Sequence, residues 1–185
     1  MEQSKFHENQ LIRPDKNPRW TGFLFEIAEV LASAVLCIAV LFTFALRFAA
    51  VFGLSMLPAL EEGQQLAVTT ILPTPRRGDI VILSSNNSHN QPLVKRIIAV
   101  AGDEIDLADG RVLVNGAVLD EPYLPEGTVT EPKPGLAYPV RIPAGYVFVL
   151  GDNRGMSSDS RDLGFVRTDN ILGRAILRFR PFSFM

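Results

Sequence analysis

Between Val30 and Leu46 the chain reads VLASAVLCIAVLFTFAL, 17 residues without a charge. This run constrains the fold more than any other feature, because a helix of about 20 apolar residues matches the ~30 Å hydrocarbon core of a bilayer. Ile27 and Ala28, upstream across Glu29, bring the segment to that length. Trp20 and Phe23 precede it where interfacial aromatics are favoured, and Arg47 follows as a snorkelling stop. Counting Lys and Arg alone, the upstream side carries Lys5, Arg13, Lys16 and Arg19, whereas Arg47 stands by itself downstream until Arg76. That asymmetry predicts a cytoplasmic tail over residues 1–22, an anchor over 23–48 and a domain over 49–185 on the far side of the cell membrane, a single-pass arrangement. Two other readings fit less well. A cleavable secretory signal ending near Phe48-Ala49-Ala50 has to accept an apolar run longer than the usual 7–15 residues, with Arg47 just before the cut. A buried core helix seldom lacks a polar face over such a length.

Past residue 60 the pattern changes. No 3.6-residue periodicity is sustained, and short runs of Val, Ile and Leu recur between clusters of Gly, Pro, Asn and Asp. They predict strands near 64–72, 79–84, 92–100, 111–114, 117–119, 146–150 and 171–179. In RVLVNGAVL (Arg111–Leu119), Asn115-Gly116 between alternating apolar residues predicts a tight hairpin with a type I′ turn. Residues 120–145 hold six prolines and read as an irregular connection. The expected fold class is mostly β and antiparallel, with one N-terminal transmembrane helix.

Composition removes several functions. With 18 basic and 20 acidic residues the formal net charge is −2, so no field points to nucleic acid. The one cysteine, Cys37, lies in the apolar run and can form neither an intrachain disulfide nor a cysteine zinc site. His7 and His89 sit in polar stretches without a carboxylate patterned for a metal or a triad. Neither a metal nor a cofactor is expected, and any hydrolase in this chain works without a histidine base.

Four stretches in the far-side domain carry chemistry: Gly53-Leu-Ser-Met-Leu-Pro58, Arg77-Gly-Asp-Ile-Val81, Lys95-Arg-Ile-Ile98 with Gly102-Asp103, and Gly151-Asp-Asn-Arg-Gly-Met-Ser-Ser-Asp-Ser-Arg161. A serine hydroxyl needs a base to become nucleophilic, and Gly53 and Pro58 shape the chain around Ser55. Met56 is a flexible apolar side chain suited to lining a shallow pocket. In the strand over 92–100, alternation puts Leu93, Lys95 and Ile97 on one face and Arg96 on the other. A lysine among apolar residues on a covered face loses solvation, which lowers its pKa toward that of a working base.

In order, spacing and wording these stretches resemble the type I signal peptidases over about residues 20–182. The resemblance implies a β-barrel-like peptidase domain, a Ser55 nucleophile and a Lys95 general base, a known variant of the serine hydrolase arrangement. It also implies that Ser157 orients Lys95. Asp152 with Arg96, and Asp159 with Arg161, are expected to form supporting pairs. Asn153, Arg154 and Ser160 complete that scaffold by turn and backbone bonds. Ala59, Ala99 and Ala101 depart from common family wording. Gly53 stands where some members carry a serine that helps stabilise the oxyanion, leaving that task to the Ser55 backbone N–H, alone or with water or another donor. The implied substrates are exported preproteins with small residues at positions −1 and −3 from the cut. Membrane lipid is the other expected partner, with Phe48, Val51, Phe52 and Leu54 candidates for contact with the interface. The competing functions are a self-cleaving Ser/Lys regulator and a non-catalytic, membrane-tethered β-module that binds exported chains. The first lacks a DNA-binding helical domain here, and the second gives no reason to keep both Ser55 and Lys95.

Overall fold

The computed structural model describes residues 19–71, 74–85 and 91–179. Lys5, Arg13 and Lys16 of the tail and both histidines, His7 and His89, lie outside them. The chain divides into two compact units, residues 1–41 and 42–185.

The first unit is dominated by α1 (Arg19–Ala45), 27 residues long. Within it, the 19 residues Gly22–Val40 are long and apolar enough to cross a membrane, and none of that span is buried. The helix ends at Ala45, and Leu46–Phe48, which the sequence reading puts with the helix, belong to the first strand, β1 (Leu46–Ala50). The reason is the ladder that β1 makes with β2 (Gln65–Thr69), from Leu46 opposite Thr69 to Ala50 opposite Gln65. Those pairings satisfy backbone groups that further helix would otherwise have to satisfy.

The second unit is antiparallel β throughout. Its remaining strands are β3 (Ile80–Leu83), β4 (Leu93–Val100), β5 (Glu104–Ala108), β6 (Arg111–Val114), β7 (Ala117–Val118), β8 (Val140–Arg141), β9 (Tyr146–Leu150), β10 (Val166–Arg167) and β11 (Ile171–Phe179). Seven of the eleven described strands form a sheet in the order β1-β2-β11-β3-β4-β9-β10, and four form a smaller sheet in the order β7-β6-β5-β8. Each expected strand region holds one strand. Four strands were not expected: β1 starts on the last residue of the apolar run, β8 and β10 have two residues each, and β5 is broken by its acidic residues.

The layering explains the composition of β4. Ile97 packs with Val81, Val147 and Val149 in one core cluster. Its neighbours Ile98 and Ala99 pack with Phe148, Leu150, Ile105 and Val112 in another, which joins the two sheets. A strand covered on both faces reads as a continuous apolar run rather than an alternating one, and Ile97–Val100 is such a run.

The predicted hairpin forms between β6 and β7, with Asn115 and Gly116 both at positive φ. Asn115 also does a second task. Its Oδ1 accepts from the Glu104 N–H at 2.9 Å, and its Nδ2 donates to Asp103 at 3.1 Å. Asp103 further accepts from the Val100 N–H at 2.9 Å and from the Arg77 guanidinium through two nitrogens. One carboxylate therefore fastens the end of β4, the hairpin and the Arg77 turn. Replacing Asp103 with alanine should lower the unfolding free energy by about 1–3 kcal/mol, since a buried carboxylate and its bonds to three half-buried or exposed donors are lost together. Urea unfolding of the isolated domain checks this, and an unchanged midpoint would show that the joint is dispensable.

Candidate active site

Beyond β1 the chain turns through Gly53, whose φ of +77° suits glycine, and its N–H donates to Glu62 Oε1 at 3.2 Å. Two buried residues, Val51 and Met56, bracket the turn and pack with Leu60, Leu66, Val68 and Ile82. The turn therefore presents Ser55 from a fixed base. Met56 was expected to line a substrate pocket, but at 1% exposure it belongs to the core, where a flexible thioether fills an irregular gap. Pro58 lines a pocket beside Asp152, Asn153 and Arg154 that does not include Ser55.

Lys95 comes from β4, and its Nζ donates to Ser55 Oγ at 2.7 Å. Its side chain is buried, with 1% of the residue exposed. Loss of solvation pushes the ammonium down to about 8, against the attraction of Asp159 and Asp152, while the like charge of Lys133 acts in the same direction as burial. A base with that pKa is partly neutral under mildly alkaline conditions, and it already touches the hydroxyl whose proton it would take.

The 151–164 loop packs against this pair. Asn153 donates its N–H to the Ser55 carbonyl at 3.0 Å and its Nδ2 to the Leu54 carbonyl at 3.1 Å. Arg96 forms a two-bond pair with Asp152 at 2.9 and 2.7 Å, and Arg161 a two-bond pair with Asp159 at 2.9 Å each. Asp159 caps the short helix α2 (Ser160–Leu163) and also accepts from the Gly151 N–H at 3.1 Å. Burial would raise its carboxyl, but Arg161 outweighs that and holds it below the ordinary carboxylate range. Ser160 Oγ accepts from the Val149 N–H at 3.0 Å, tying α2 to β9. Ser157 is buried beside Asp159, whose carboxyl it helps keep low, yet its Oγ completes no hydrogen bond and none to Lys95 is present. At Gly151 there is no room for a side chain: a Cβ would collide with Ser157 Oγ and with the Ser55 carbonyl.

A set of supporting residues was not visible in the sequence. The proline-rich connection, read only as irregular, lies over the 151–164 loop. Glu121 and Thr130 bind Arg154, and the Tyr123 ring stacks 3.8 Å from the Arg96 guanidinium. The Glu131 carbonyl accepts from Arg161 at 3.3 Å, and Lys133 reaches the Ser157 carbonyl and Asp162 at 2.7 Å each. The only signal was composition, with charged and aromatic side chains interspersed among the prolines.

A cleft of about 550 Å³ opens beside Ser55, walled by Ala49, Ala50, Ile82, Leu93 and Val94. Val94 offers it a free backbone edge. Ile97 exchanges bonds with Gly78 and Asp79, so alternation turns Val94 away from β3, and on that other side the pairing of β4 with β9 begins only at Arg96.

Comparison with known proteins gives concordant matches. The family model for signal peptidase, peptidase S26, matches residues 24–180. A signal peptidase I of Bacillus caldolyticus is 37% identical over 180 residues, covering 89% of this chain and 91% of that protein. A signal peptidase I of Leptolyngbya laminosa is 39% identical over 137 residues, covering 69% of this chain and 65% of that protein. The crystal structure of a signal peptidase I from Enterococcus faecalis is 29% identical with a TM-score of 0.46, covering 57% of this chain and 99% of that one.

Two substitutions test the geometry. Lys95 has a folded pKa depressed from 10.5 to about 8, so the folded state binds fewer protons than the unfolded state between those values. Stability therefore rises as pH increases through this window, and the burial penalty is fully present below pH 8. Lys95→Met should stabilise the domain at pH 7 by about 3 kcal/mol, a gain that disappears by pH 10.5. Unfolding curves of both proteins from pH 7 to 11 measure this, and a pH-independent difference would contradict it. Gly151→Ala should remove at least about 90% of activity by displacing Ser157 and the Ser55 carbonyl, with full activity as the refuting result.

Proposed function

Because the chain belongs to the signal peptidase family, peptidase S26, we propose that it removes signal peptides from exported preproteins with Ser55 as nucleophile and Lys95 as general base. The observation that carries this reading is the buried Lys95 Nζ placed 2.7 Å from Ser55 Oγ. Neutral Lys95 takes the hydroxyl proton as Ser55 Oγ attacks the scissile carbonyl. The new alkoxide collapses, the peptide bond breaks, and the Lys95 ammonium returns its proton to the leaving amine. Water, deprotonated in turn by Lys95, then hydrolyses the ester and restores both groups.

The oxyanion needs donors aimed at it from the start. Among the described residues the Ser55 N–H has no acceptor, which leaves it available for that role. The preprotein segment enters as an added strand against the free edge of Val94, with alternate side chains directed into the cleft. Ala49, Ala50, Ile82, Leu93 and Val94 make that cleft apolar, which suits uncharged side chains at positions −1 and −3, small residues among them. The apolar helix agrees with a membrane-anchored enzyme. The excess of Lys and Arg before the helix favours a cytoplasmic N-terminus and an extracytoplasmic catalytic domain.

A non-catalytic β-module would have no use for a desolvated lysine held on a serine hydroxyl, and a self-cleaving regulator no use for the helix.

Purified protein should cleave a preprotein whose signal peptide ends in Ala-x-Ala, with kcat/KM rising through an acid limb near pH 8. Ser55→Ala and Lys95→Ala should each lower kcat by at least about 10³-fold. Cleavage that survives both changes would overturn the serine–lysine reading.

A further inference from the structure

The Lys95–Ser55 contact is supported on its far side by the 151–164 loop, and that loop is held by the proline-rich connection at several points. Most of these points join backbone or paired groups already accounted for. Lys133 is different. Its Nζ donates to the Ser157 carbonyl and to Asp162 Oδ2, at 2.7 Å each. Asp162 Oδ2 also accepts from the Asp159 N–H at 3.2 Å. A single ammonium thus grips both ends of Ser157–Asp162, the stretch that carries the buried Ser157 hydroxyl and the Asp159 carboxylate.

We propose that Lys133 is a positioning residue for the Ser55–Lys95 reaction, a clip that holds the Ser157 segment in place behind Lys95 from outside the active site. This inference rests on the serine–lysine reading above. Two features of the surroundings support it. Ser157 Oγ lies against Gly151 and beside the Asp159 carboxylate but completes no hydrogen bond, so its side chain is held by packing alone. The directional bond that locates Ser157 is therefore on its backbone, and Lys133 makes it.

The clip also has an electrostatic consequence. The carboxylates nearest in influence to Lys95 are Asp152 and Asp159, each paired to an arginine, Arg96 and Arg161 respectively. Arg154 is paired to Glu121, which also accepts from Tyr123, and Asp162 is paired to Lys133 itself. Within that set Lys133 is the cation whose like charge acts on Lys95. Removing it leaves Asp162 unpaired and withdraws a like charge. Both changes favour the protonated form of Lys95 and move the acid limb of kcat to higher pH.

The test uses the full chain in detergent and a preprotein whose signal peptide ends in Ala-x-Ala, with Lys133→Gln, Lys133→Arg and Lys95→Ala measured beside the parent. Lys133→Gln should lower kcat at pH 8 by about tenfold, the rate equivalent of one lost charge-assisted hydrogen bond, with KM unchanged. Its acid limb should lie at higher pH than that of the parent. Lys133→Arg keeps the charge and a donor, so its limb should stay in place and most of kcat should return. A Lys133→Gln enzyme with the parent's kcat and limb would overturn the proposal. So would a Lys133→Arg limb displaced as far as that of Lys133→Gln. A loss of thermal stability with kcat and limb intact would make Lys133 structural only and would overturn it equally. The underlying reading is judged separately: it fails if Lys95→Ala retains the parent's activity, whatever the Lys133 variants do.

Discussion

The structure turns on one costly placement, an ammonium buried against a neutral hydroxyl. Taking Lys95 out of water lowers its pKa from 10.5 to about 8, a penalty on the order of 3 kcal/mol below that pH. Domains of this size are stable by only about 5–15 kcal/mol, so the penalty is a sizeable share. A carboxylate contact would relieve it and would also restore the lysine to its ordinary basicity. The fold avoids that outcome. Asp152 and Asp159 both act on Lys95, but each is held by a bidentate arginine, and the Lys95 side-chain hydrogen bond goes to Ser55. Arginine suits the task because its planar fork satisfies both carboxylate oxygens at once and stays charged.

Those arginine pairs need support of their own, since buried ion pairs are stable only when their remaining groups are satisfied. Arg161 donates from Nη1 to the Glu131 carbonyl and from Nη2, which also binds Asp159, to the Arg154 carbonyl, and Arg96 gives Nη1 to the Gly78 carbonyl while stacking on Tyr123. The Arg77-Gly-Asp turn and the proline-rich connection therefore reach the active site indirectly. Neither touches Ser55, yet both satisfy cations that keep the carboxylates away from Lys95.

Much of this was legible in the sequence, for physical reasons that differ from feature to feature. The apolar run and the Asn115-Gly116 hairpin are local, and local patterns survive folding. The Ser55, Lys95 and 151–161 stretches were identifiable from their wording, and the Asp152–Arg96 and Asp159–Arg161 pairs form at hydrogen-bonding distance. What could not be read was long-range. Glu121 finds Arg154 across 33 residues and Lys133 finds Ser157 across 24, with no periodicity to announce either. Met56 sits next to Ser55 in the sequence while its side chain is committed to the core, and β1 was hidden because it starts on the last residue of the apolar run and resumes apolar residues after the single charge of Arg47.

Gly53 shows how a backbone constraint limits the chemistry. Some relatives of this sequence pattern place a serine there, and its hydroxyl assists the oxyanion. In this chain the position has a φ of +77°, a conformation that residues with a Cβ adopt only with strain, although the space beside it is open. Its N–H is already given to Glu62 Oε1. A hydroxyl cannot therefore be supplied from position 53 without distorting the turn that presents Ser55, and the backbone N–H there is already used. Under the serine–lysine mechanism the stabilising burden shifts to the Ser55 N–H. That group is held by the same turn as the nucleophile, and Asn153 fixes the turn through the Ser55 and Leu54 carbonyls. Nucleophile and oxyanion donor thus share one short segment, so the precision of that segment sets how well the site can stabilise a developing negative charge.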